Sequence, residues 1–93
     1  MKMVIYKYYT HEEATMPDDV RFLSAAFQGS DAVVWAEHPR FEDAVTMKRV
    51  KFHAIMTGET FALGDEWSYI GTAQHPDMLN GSPFVVHVYA EFL

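Results

Sequence analysis

The chain has 93 residues, too few to split into two pieces that each bury a useful core, so a single domain spanning 1–93 is expected. With 49% hydrophobic and 22% charged residues it reads as a folded globular domain, and its 15% aromatic content points to β-structure or a binding surface. A net charge of −6 disfavours direct nucleic-acid binding, where cations must displace condensed counterions, and the lack of cysteine excludes disulfides, thiol catalysis and thiolate metal sites.

The first run, MKMVIYKYYT, is rich in β-branched and aromatic residues and predicts a strand ending near Thr10. Its alternation puts Val4, Tyr6 and Tyr8 on one side and Met3, Ile5 and Tyr9 on the other, so both sides are apolar. Such a strand is either central in a two-layer structure or part of a subunit contact, which makes a homo-oligomer an open option. HEEATMPDD then breaks the run. Residues 15–29, TMPDDVRFLSAAFQG, carry two competing signals. Pro17 with Asp18 and Asp19 suits a helix start, and Val20, Leu23 and Phe27 recur at helical spacing. Against this, RFLSAAF and AVVWAEH joined by QGSD read as two strands and a turn.

HPRFEDAVT is expected to be a loop. MKRVKFHAIM alternates clearly, with Val50, Phe52, Ala54 and Met56 on one face and Arg49, Lys51 and His53 on the other. TGETFALGDE reads as a turn region with room for one helical turn. WSYIGTAQ is a predicted strand in which Gly71 marks a bulge or a close backbone approach. HPDMLNGSP is dense in turn residues and leads into PFVVHVYAEF. There Phe84, Val86, Val88, Ala90 and Phe92 form an unbroken apolar face, which sends His87, Tyr89 and Glu91 to the other side.

No stretch reaches the roughly 18 apolar residues of a membrane span, and MKMVIYKYYTHEE lacks a signal-peptide core, so no membrane association and a cytoplasmic location are expected. Arg49, Lys51 and His53 are the one local concentration of positive charge. With Trp35 or Tyr69 stacking a base they make a candidate grip for an anionic ligand such as a signalling nucleotide, and His87 is the remaining candidate ligand-binding residue. If the stripe shares a face with Glu91 or Glu37, cross-strand ion pairing accounts for it instead. The five histidines never fall at a paired metal-ligand spacing, and none of the serines sits in a nucleophile elbow. Neither GxGxxG nor a P-loop is present. No catalytic residue, metal or cofactor is therefore assigned, and the expectation is a protein that is not an enzyme.

In order, KMVIYKY, MPDDVRFLSAAFQ, VVWA, VKFHAIMTGE, YIGTAQ and FVVHVYAE resemble a family of small uncharacterised proteins of bacteriophages and prophages, over nearly the whole chain. The resemblance implies a compact, mostly β domain working in the host cytoplasm and carries no catalytic residues to transfer. It also favours strands over a helix between the MP and VVWA motifs. The resulting expectation is an all-β, small antiparallel barrel or sandwich of five or six strands with at most one short helix. Its expected function is to bind, and inhibit, a host or anti-phage defence protein; the alternative is an oligomeric protein that captures an anionic small molecule.

Overall fold

A computed structural model describes residues 1–79 and 82–93, with side chains described for 1–75 and 84–93. Seven strands follow in order: β1 (Met3–Tyr9), β2 (Ala14–Pro17), β3 (Arg21–Gln28), β4 (Asp31–Pro39), β5 (Met47–Met56), β6 (Trp67–Leu79) and β7 (Ser82–Phe92). One sheet has the order β1-β4-β3 and the other β2-β5-β7-β6, with every pairing antiparallel. A single 3₁₀ turn at Phe41–Asp43 is the helical element among the described residues.

The strand reading of residues 17–28 holds. Val20, Leu23 and Phe27 do not form one face: Leu23 is exposed, and a bulge between Phe22 and Ser24 shifts the alternation so that Phe22, Ala25 and Phe27 all pack on the core. Gln28 pairs with Asp31 across a two-residue turn, and Gly29 at φ +58° supplies the left-handed residue such a hairpin needs. A short strand lies inside the segment expected only to break β1: β2 pairs with β5, and its Met16 is fully buried. Pro17 is tolerated because β2 is an edge strand. Two expected loops are shorter than their turn-rich composition predicts, since β4 runs on through His38 and Pro39 and β6 extends through Leu79. Residues 57–66 contain no helical turn.

The inner faces of the two sheets meet in a core of Met16, Val34, Val50, Phe52, Ala73, Val86, Val88 and Ala90, packed on by Tyr8, Phe22, Phe27, Ile70 and Phe84. Phe52 sits edge-on to Phe22 at 6.0 Å and 6.4 Å from Tyr8, so it joins β5 to both outer strands of the three-stranded sheet. Along one flank β3 runs against β6. A Cβ on Gly71 would stand 3.5 Å from the Ala25 nitrogen, which is close but leaves room for a methyl group. What the glycine does mark is the bulge, since the register slips between Tyr69 and Gly71.

His38, expected in a loop, is fully buried on the inner side of β4. Its Nδ1 lies 2.8 Å from the Pro39 carbonyl, which can only accept, so Nδ1 carries a proton. In the neutral ring Nε2 then accepts from the Tyr8 hydroxyl at 2.8 Å. Tyr6 stacks on the imidazole at 5.4 Å and Phe41 meets it edge-on at 5.2 Å. Burial, with a smaller push from Tyr6, raises the Tyr8 phenol to about 12. Every buried polar side-chain atom among the described residues has a partner, so this dyad costs the core no orphaned group.

Candidate functional site

The outer face of the four-stranded sheet follows from alternation along β5, β6 and β7. Antiparallel registry lines their outward residues into three rows across the sheet: Lys51, Glu91 and Trp67; then His53, Tyr89 and Tyr69; then Ile55, His87 and Thr72. The bulge at Ile70 matters here. It advances β6 by one residue, so that Thr72, and not Gly71, stands beside His87.

In the first two rows the rings interlock. His53 stacks on Trp67 at 3.8 Å, and Tyr89 contacts both Trp67, at 5.8 Å, and Tyr69, at 5.4 Å. The 57–66 segment folds back over this surface, laying Phe61 parallel to Trp67 at 6.1 Å and against Tyr89 at 5.6 Å. Gly64 is the close point of that segment. A Cβ there would lie 2.9 Å from the indole nitrogen, so any side chain would displace the indole. His53 Nε2 donates to Glu91 at 2.8 Å. That hydrogen bond holds the Glu91 carboxyl below the usual carboxylate range against the opposing effect of desolvation, with the His53 charge, the Trp67 N–H and Lys51 helping.

In the third row both nitrogens of His87 are engaged, Nε2 by the Thr57 hydroxyl at 2.8 Å and Nδ1 by the Thr72 hydroxyl at 2.9 Å. Thr72 in turn bonds the Tyr69 hydroxyl. Because hydroxyls both donate and accept, the chain from Thr57 to Tyr69 can be satisfied with its protons pointing either way.

Five of the residues singled out from sequence, Arg49, Lys51, His53, Tyr69 and His87, therefore share one face. Arg49 lies at its β2 end, where it bonds Glu13 at 3.2 Å. Trp35 stands apart. On β4 it pairs with Lys7 and Ser24 and points outward from the other sheet, so it cannot stack a ligand together with Tyr69. Its neighbour Val34 faces the core, and that alternation sends Trp35 the other way. Trp67, Thr72, Thr57 and Phe61 were missed by sequence reasoning. Alternation in WSYIGT can place Trp67 beside Tyr69, but Thr57 and Phe61 arrive through a fold-back with no periodic signal.

The architecture is that of an antiparallel β-sandwich with an aromatic, hydrogen-bonded outer face. The chain belongs to the family described as domain of unknown function DUF7352, whose model matches residues 1–92. Neither a curated protein nor a solved structure matches it. No helix among the described residues is long and apolar enough to cross a membrane.

Proposed function

We propose that this chain is a non-enzymatic accessory protein of a phage or prophage. It works in the host cytoplasm by binding, and inhibiting, a host or anti-phage defence protein. The phage setting rests on the motif resemblance. The binding reading rests on one observation: two adjacent cross-strand rows hold Trp67, Tyr69 and Tyr89 in a single outward surface, with Tyr69 56% exposed. Rigid Tyr and Trp side chains supply contact area at low entropic cost, and their stacking on one another means little ordering remains to be done on binding. The non-enzymatic part rests on the sequence, which carries no nucleophile elbow, P-loop or paired metal-ligand spacing.

The competing reading, capture of an anionic ligand, has Lys51 in its favour, one row from Tyr89 and Tyr69 and across from Glu91. Its other cations are committed to acidic partners, Arg49 to Glu13 and His53 to Glu91. The acidic pair Glu42 and Asp43 is likewise engaged, by Arg40 at 3.4 and 2.8 Å. Self-association belongs to the proposal as well: β1 is an edge of its sheet and not central, which leaves a subunit contact as the alternative for its two apolar sides, and its Ile5 is 57% exposed.

Native mass spectrometry of the protein purified from bacterial cells tests these readings together. The expected result is a retained protein partner that is lost in Tyr69→Ala and kept when Glu42 and Asp43 are neutralised. An oligomer is expected to revert to monomer in Ile5→Lys. A small added mass that depends on Lys51 would replace the proposal with ligand capture, and retention of the partner by Tyr69→Ala would remove this face from it.

A further inference from the structure

We propose that the open end of the sandwich is a second binding site, which takes a small apolar cation: an alkyl or aryl chain ending in an ammonium group. The inner face of β5 continues from Val50 and Phe52 to Ala54 and Met56, but these last two are exposed. Here the sheets part into a cleft of about 330 Å³, walled by Phe27 and Ala32 on one side and Ala54, Met56, Phe84 and Val86 on the other. A second cleft of about 280 Å³ adjoins it at Met56 and Phe84. The volume suits a ligand at the small end of the range for organic molecules.

The rim decides the charge of that ligand. Asp31 and Glu59 both line the cleft, and among the described residues no ion pair engages either of them. Glu59 Oε1 accepts from the Met56 N–H at 3.0 Å, which aims the carboxylate at the mouth and leaves its second oxygen for a ligand. Among the described residues lining the cleft the one cationisable group, His11, lies 3.6 Å from Glu12. On the floor Phe27 and Phe84 are tilted against each other at 5.9 Å, and ring faces attract ammonium groups. A chain of net charge −6 adds a long-range field of the same sign. An anion is repelled here, and a neutral apolar molecule gains only the floor.

Titration of the whole chain followed by backbone amide NMR shifts tests the site, with phenylpropylammonium, phenylpropanol and phenylpropanoate as probes. The ammonium is expected to give saturable shifts at Thr10, Asp31, Ala32, Ala54 and Glu59 and to bind about tenfold tighter than the alcohol, with the carboxylate weakest. Asp31→Asn with Glu59→Gln should bring the ammonium down to the alcohol's affinity; the glutamine keeps the acceptor for Met56 N–H. Ala54→Leu, which fills the floor, should abolish both. Tyr69→Ala should leave the titration unchanged, which separates this site from the aromatic face. Equal affinity for ammonium and alcohol, shifts outside the cleft, or undiminished ammonium binding in the double variant would overturn the proposal.

Discussion

The outer faces of the two sheets obey the same alternation yet reach different ends. On the four-stranded sheet the outward residues of β5, β6 and β7 are tied to one another by ring stacking, by His53 and Glu91, and by the threonine hydroxyls on His87, and a folded-back segment covers part of them. Among the described residues no segment folds back over the three-stranded sheet in this way. Met3, Ile5 and Leu23 stand exposed there, with Lys7 reaching Gln28 at 2.7 Å and Arg21 facing Glu37 at 3.5 Å. A sheet face becomes a defined surface when its side chains satisfy one another across strands. A face left with scattered apolar residues on an edge strand is available to a second chain.

Removing the support that both faces share should have the largest effect. Phe52→Ala empties the contact with Phe22 and Tyr8 and is expected to cost about 3–5 kcal/mol, measured by denaturant unfolding, with both faces losing order together. If only one face loosened, the two sheets would be energetically separate.

The next test discriminates between the sheets. Tyr8→Phe leaves buried His38 Nε2 without its hydroxyl partner, and the expected loss is about 1–3 kcal/mol. Because the folded protein holds the Tyr8 proton up to about 12, above the ordinary phenol value, the unfolded chain ionises first. Stability from this group is complete below the ordinary phenol range and is lost as pH rises toward the folded value. Wild-type melting temperature should therefore fall more steeply over that alkaline interval than that of Tyr8→Phe, and parallel falls would remove Tyr8 as the cause.

The smallest effect belongs to the aromatic face alone. Glu91 is held below the usual carboxylate range, so its contribution is present above that range and disappears as pH falls through the lowered value. Glu91→Gln should flatten the acid end of the stability profile and alter Trp67 fluorescence by freeing His53 from its partner. Stability in neutral solution should change little, since ion pairs that solvent still reaches are weak. An unaltered acid profile would mean that the pair does not organise the face.

Much of the site is legible in the sequence. Alternation in MKRVKFHAIM and FVVHVYAEF assigns Lys51, His53, His87, Tyr89 and Glu91 to outward positions, and the side-chain period of two leaves no freedom once the apolar residues are buried. The cross-strand pairing that answers the basic stripe could be named as a condition, but not as a fact. Which strand lies beside which is decided by packing over long sequence separations, and β2 pairing with β5, or Trp35 turning to the opposite sheet from Tyr69, leaves no local trace.

By itself, then, the sequence determined β1, β5, β6 and β7 and the alternating sides of β5 and β7, and it offered, each beside an alternative, the hairpin at Gly29 and the bulge at Gly71. These are local consequences of backbone sterics and of hiding apolar side chains from water. Tertiary structure alone decided that β1 is an edge, that His38 is buried against Tyr8, that Phe61 and Thr57 return to cover the aromatic face, and that the sheets part over Ala54. Each of these depends on contacts between residues far apart in the chain, where many pairings satisfy the same local pattern and only the closing of a common core selects one.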